Sequence, residues 1–243
     1  MAALTLLVLG GCASTPRPAE APAVPAGQAA AADEHFARLH RGVDLLMRRK
    51  LPRKAIDEYF DPVIAEAGCE RLLEGEPRTY VARTPAESVF YLVQAARQDL
   101  KAVVVRTPCA DAFYLKGYAL LDLGDVEGAR AAIERAVALA PRNAQYLAEL
   151  GHIHHVERDW EGALTIFTLA EDSARSFSPE DARLGEVTRA LRGMGFSLIE
   201  LGRLNEAELR FRESLQLDPD DEAAQQELAY IEQLREQAAH APE

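Results

Sequence analysis

The chain has 243 residues, 48% of them hydrophobic, enough for one good-sized packed body or two small ones. Its 27 Lys and Arg against 39 Asp and Glu leave a formal charge of −12, so the molecule as a whole repels nucleic acid and anionic membranes. A single Trp, few other aromatics and a wealth of Ala, Leu, Glu and Arg favour helix over strand.

The chain opens on "ALTLLVLGGCAST", an apolar run ending in Leu9-Gly10-Gly11-Cys12 and too short to span a bilayer. Small residues directly before a cysteine resemble the lipobox of bacterial lipoproteins, although no Lys or Arg precedes the run. The resemblance implies that residues 1–11 are a cleaved signal peptide and that Cys12 carries the lipid. With Ala13 rather than Asp after the cysteine, it further implies the periplasmic face of the outer membrane. The alternative is a cytoplasmic protein with an apolar N-terminus. Residues 12–33 are rich in Pro and Ala and hold almost no large apolar side chain, so they are expected to form a disordered tether.

In residues 34–109 the pattern is helical but worn. Phe36, Leu39, Val43 and Leu46 make an apolar stripe, Leu51-Pro52 marks a turn, and Ala55-x-x-x-Tyr59 has the spacing of the second helices found downstream. Arg48 to Lys54 holds five basic residues in seven. It reads first as a solvated turn. The sharper reading rests it on anionic headgroups, at on the order of 1 kcal/mol per basic residue. Pro77 to Arg83 is a loop or a short extended piece, and Thr84-Pro85-Ala86-Glu87 is a capping box opening a helix through about Gln98. Ala102 to Val105 is either a helix end or a short strand. Cys69 and Cys109 are either two buried thiols or a disulfide, whose closed loop would stabilise by roughly 4 kcal/mol.

Beyond residue 110 the chain repeats itself. Phe113-x-x-Lys116-Gly117-x-x-Leu120, Ala129-x-x-x-Ile133 and Pro141 form one unit. Leu147-x-x-Leu150-Gly151-x-x-His154 with Ala163-x-x-x-Phe167 forms the next, and Leu191-x-x-Met194-Gly195-x-x-Leu198, Ala207-x-x-x-Phe211 and Pro219 form a third. Gly117 and Gly151 are 34 residues apart. This period and these positions resemble the tetratricopeptide repeat. The expected fold is all-α: a tetratricopeptide-type helical-hairpin solenoid with a degenerate N-terminal region and a C-terminal capping helix. Its repeats span 110–143, 144–177 and 188–221, and the capping helix 222–237. The 10 extra residues of the second junction, 178–187, read as a lengthening of the flanking helices, with Ser178 as cap and Pro179 in the first turn.

Serine-hydrolase elbows, phosphate loops, zinc-protease helices and paired CxxC motifs do not occur, so no enzymatic activity, cofactor or metal is expected. The three histidines of "GHIHHVERDW" fall on opposite sides of one helix. His154 takes a position that resembles the repeat's buried aromatic, while His152 and His155 share an outward face, two ligands being too few for a metal. The competing reading, an enzyme, would hide its site in residues 35–106 or at this pair. The tetratricopeptide resemblance implies a concave groove lined by the first helices, here Tyr114, Tyr118, His152, His155, Arg189, Arg192 and Phe196. The family's clamp for C-terminal carboxylates uses Lys and Asn where Tyr114 and Tyr118 stand. The expected ligand is therefore a partner's peptide segment with an aromatic or aliphatic anchor and some negative charge for Arg189 and Arg192. Binding is expected to strengthen below pH of about 6.5 as the imidazoles charge. The implied function is a non-catalytic protein-binding scaffold, membrane-tethered, in cell-envelope assembly.

Overall fold

Helices pair into antiparallel hairpins along nearly the whole chain, in a computed structural model that describes residues 26–240. The expected signal peptide, Cys12 and most of the tether lie outside the described residues. Helix α1, Ala26–Val43, begins inside the expected tether, which corrects that boundary. No proline follows Pro25 until Pro52, and the Ala29–Ala32 run has the best helix propensity of any residue type. Among the described residues no helix is long and apolar enough to cross a membrane.

The worn N-terminal unit is a hairpin. Helix α1 continues through a π-helical turn, Asp44–Arg48, and pairs with α2, Pro52–Ala55, and α3, Asp61–Glu66, which are joined by a second π-helical turn, Ile56–Phe60. The second turn inserts one residue into the helical period. The ring that packs against the first helix is consequently Phe60, fully buried, whereas the expected spacing assigned Tyr59. Gly42 makes room for it, since a Cβ there would stand 2.5 Å from Phe60 Cε1.

Three regular hairpins follow: α5, Cys109–Asp122, with α6, Val126–Leu139; α7, Ala144–Val156, with α8, Trp160–Phe177; and α9, Glu180–Glu200, with α10, Leu204–Leu217. A last helix, α11, Glu222–Ala239, covers the end and buries Ile231 against the third hairpin. The extra residues at the second junction do lengthen α8 and α9, to 18 and 21 residues. Ser178, however, does not cap α9; its hydroxyl turns to the Glu186 carboxylate.

Between the worn hairpin and α5 the chain makes an excursion that the sequence leaves half-read. Arg78–Tyr80 is strand β1, Pro85–Arg97 is α4, and Ala102–Val104 is strand β2, parallel to β1 with Arg78 opposite Ala102 and Tyr80 opposite Val104. Parallel strands need a crossover, and α4 supplies it. The Thr84 hydroxyl accepts from Glu87 N–H at 3.2 Å, as a capping box requires. The Glu87 carboxylate reaches one residue further back than that motif, accepting from Arg83 N–H at 2.7 Å. Cys69 and Cys109 stand at the two feet of the excursion and are joined, 40 residues apart in sequence.

Tight turns link first and second helices. Gly124 and Gly202 take left-handed φ values of +78° and +72° after α5 and α9. The matching residue after α7 is Arg158, at φ 60°. A side chain in that conformation costs roughly 1–2 kcal/mol, partly offset because glycine loses more freedom on folding. Arg158→Gly is therefore expected to raise stability by about 0.5–1 kcal/mol, read as a higher urea midpoint at unchanged slope.

Candidate functional site

The first helices form one side of the solenoid, where α7 and α9 touch directly. Two of the expected groove residues meet at its centre. Tyr114 on α5 is buried, stacks on Tyr146 of α7 with ring centroids 5.0 Å apart, and accepts a hydrogen bond from Gln145 Nε2 at 3.0 Å. Arg189 on α9 reaches back to the same place and donates to Glu149 Oε2 at 2.6 Å. Burial works against the Arg189 charge, but Glu149 and Tyr114 outweigh it, and the guanidinium pKa is raised. Tyr118, one turn on from Tyr114, is half-buried, and burial, Asp122 and Glu149 together push its hydroxyl pKa up.

Glu149 adds a carboxylate to the expected groove. It is buried beneath Arg189, three residues before His152 on α7. Arg192 is also spoken for, donating to Asp221 Oδ2 at 2.7 Å. Asp221 in turn accepts from the Ser214 hydroxyl at 2.7 Å and caps α11 through Ala224 N–H. Burial alone would raise the Asp221 carboxyl; the Ser214 and Arg192 hydrogen bonds override it and hold it below its ordinary value. Both arginines thus pair with internal carboxylates through one nitrogen each.

The histidines separate. His152 is exposed on the groove side. His154 does not fill a buried aromatic position; its Nδ1 lies 2.7 Å from Asp159 Oδ2, while Asp159 Oδ1 accepts from Gly162 N–H to cap α8. His155 is not outward-facing either. Its ring lies 4.9 Å from Phe167, 4.9 Å from Phe196 and 5.8 Å from Trp160, centroid to centroid. The Ser197 hydroxyl donates to Gly193 O at 2.9 Å and lies 2.7 Å from His155 Nε2. Burial, helped by His152, lowers the His155 pKa to about 4. The expected charging of this pair near pH 6.5 accordingly fails at His155. Among the described residues, no group of three His, Cys, Asp or Glu is placed to hold a metal.

A hollow of about 370 Å³ opens beside Tyr146, at the carboxyl ends of both strands of the excursion. Phe36, Val81 and Val104 give it apolar walls, and Arg83, Asp111 and Asn143 give it polar ones. Tyr146 donates to Asp111 Oδ1 at 2.5 Å, and burial raises the Asp111 carboxyl above its ordinary value despite that bond. Nothing in the repeat pattern points to this hollow, because one wall comes from the excursion. The basic run Arg48–Lys54 lies exposed at the α1–α2 turn, where Arg48 pairs with Asp44 at 3.5 Å and Lys54 with Glu58 at 3.7 Å.

The family model described as "Tetratricopeptide repeat" matches residues 93–144 and 114–179. The fold is a tetratricopeptide-type helical-hairpin solenoid. The third hairpin, α9–α10, lies beyond the matched residues and is recognised by its packing. Two solved structures resemble most of the chain. The MamA RS-1 ArsTM double mutant has TM-score 0.55 at 14% identity, covering 84% of this chain and 85% of that one. MamA 41-end from Desulfovibrio magneticus RS-1 has TM-score 0.51 at 16% identity, covering 84% and 86%. The first TPR of Spaghetti (RPAP3), solved bound to an HSP90 peptide, is similar over 51% of this chain and 91% of its own, at 22% identity and TM-score 0.45. A search of curated proteins finds no match.

His155 yields a testable pH dependence. Between about pH 6.5 and 4 the unfolded chain binds a proton at this imidazole and the native state does not, so stability falls as pH is lowered through that window. The ring is partly solvated, so the loss should be no more than about 1–2 kcal/mol after screening. His155→Gln is expected to flatten that part of the stability–pH curve, measured by urea unfolding at a series of pH values.

Proposed function

We propose that this chain is a non-catalytic protein-binding scaffold, held by a lipid on Cys12 at the periplasmic face of the outer membrane and acting in cell-envelope assembly. The fold is one of protein-binding repeats, and the observation that carries the reading is the partly open first-helix face. There Tyr118, His152 and Phe196 remain solvent-accessible above a packed floor of Tyr114, Tyr146 and His155. Aromatic groups on a rigid surface are what interface centres favour, because they bring contact area at small entropic cost. The partner is a peptide segment of another protein with an aromatic or aliphatic anchor. The negative charge expected to accompany that anchor would share Arg189 and Arg192 with Glu149 and Asp221. The membrane part of the proposal is supported by the sequence Leu9-Gly10-Gly11-Cys12.

Two measurements test the two parts. A partner is first identified by affinity capture on the full chain. The double variant Tyr118→Ala/Phe196→Ala, with unchanged helicity and melting point, is then expected to bind it at least about tenfold more weakly, or 1.4 kcal/mol. Unchanged binding would move the site off this face. Mass spectrometry of the mature N-terminus is expected to find diacylglyceryl-modified Cys12, and an unlipidated N-terminus would leave a cytoplasmic adaptor in its place.

A further inference from the structure

Among the described residues, one face of helix α4 stays uncovered. Its inner side buries Glu87, Tyr91 and Ala95 against the strands, with Tyr91 reaching the α6–α7 turn at Arg142 N–H. Its outer side exposes Ala86, Val89, Leu92, Val93 and Ala96, with Val89 61% and Val93 44% exposed. From Pro85 to Ala96 the one charged residue is Glu87, and it is fully buried. A contiguous uncharged apolar face is out of place on the surface of a chain with charge −12 and marks a contact site.

The spacing says what kind of contact. Ala86, Val89, Val93 and Ala96 are separated by three, four and three residues, which is the seam of a helix that packs along another helix. The side chains of the seam are small or β-branched, so two such helices can approach closely. The sequence of the seam is also nearly palindromic, small–branched–branched–small. Two copies of it laid antiparallel place Val89 opposite the partner's Val93, and Ala86 opposite the partner's Ala96.

Charge at the two ends follows the same symmetry. The α4 N-terminus abuts the α8–α9 corner, where the Thr84 hydroxyl donates to Phe177 O at 3.1 Å. That corner exposes Asp172, Glu180 and Asp181 against Arg175 and Arg183 and is net negative by one charge. The other end exposes Arg97 and Lys101 against Asp99 and is net positive. A surface that is negative at one end, apolar in the middle and positive at the other is its own complement under a twofold axis. We infer that α4 is a homodimerisation helix, pairing antiparallel with α4 of a second copy of this chain, independently of what the first-helix face binds.

The test uses the full chain carrying Cys12→Ser, so that no lipid contributes, and sedimentation velocity over a wide concentration range. The unaltered α4 is expected to give a concentration-dependent monomer–dimer equilibrium. Val89→Glu/Val93→Glu and Val89→Lys/Val93→Lys change exposed positions, so each is expected to keep its helicity and melting point and to be monomeric, with dimerisation weakened at least about tenfold. Mixing the two variants should restore a dimer, because each Glu then faces a Lys. A chain that is monomeric throughout, or a dimer that neither variant disturbs, overturns the inference. So does a monomer that floats with phosphatidylglycerol vesicles and loses that property in the Glu variant, which would assign the face to a lipid surface.

Discussion

The solenoid depends on one contact made four times: a large side chain of the second helix lying on first-helix backbone that has no side chain. A Cβ at Gly117 would stand 2.6 Å from Ile133, at Gly151 2.7 Å from Phe167, and at Gly195 2.5 Å from Phe211. Gly42 and Phe60 repeat the arrangement in the worn hairpin. Ala129, Ala163 and Ala207, all fully buried, keep the second helix slim at the same crossing. The close approach sets how each hairpin presents its faces to the next, so the line of first helices is a consequence of it. Overpacking of this kind costs typically 1–3 kcal/mol where the neighbour cannot yield, and here the neighbour is a buried ring or Ile held on its far side.

The junctions between hairpins differ, and the excursion between Cys69 and Cys109 ties them together. Val81 N–H donates to Leu139 O at 2.8 Å and so satisfies a carbonyl at the end of α6. Arg142 N–H, in the α6–α7 turn, donates to the Tyr91 hydroxyl at 2.8 Å, which itself donates to the buried Glu87 at 2.6 Å. Arg83 forks onto Glu186 of α9, and Phe90 packs on Phe177 at the end of α8. A small parallel two-stranded unit is too short to stand alone. It borrows its stability from three junctions and in return braces them along one edge, leaving the opposite edge and the first-helix face open. The lengthened α8 and α9 provide the surface on which the excursion rests.

What the sequence made legible was whatever repeats. Three copies of the glycine–alanine–aromatic spacing fix helix positions, their pairing and the capping helix. The worn hairpin is legible as helix but one residue out of register, because a π-helical turn leaves no mark in composition. The strands were left open between alternatives, since Arg78–Tyr80 and Ala102–Val104 are three residues each and gain their identity only by pairing across α4. The groove positions follow from the tetratricopeptide resemblance. Their chemistry was not legible, because it is decided by tertiary partners: Glu149 under Arg189, Asp221 beside Arg192, Trp160 and Ser197 around His155. Glu149 did carry a faint signal, being one turn before His152 on the same face.

Those partners change what the first-helix face can recognise. A carboxylate that took Arg189 away from Glu149 would strand a carboxylate that is 2% exposed. Stripping the partner from a buried charge costs about 3–5 kcal/mol, more than an exposed ion pair returns. The same holds at Arg192, where displacing Asp221 would also release the cap of α11. The acidity of the chain therefore does not translate into a cationic groove that selects acidic ligands. For the proposed partner, the side chains left to contribute are Tyr118, His152 and Phe196, an aromatic set of the kind that interface centres favour.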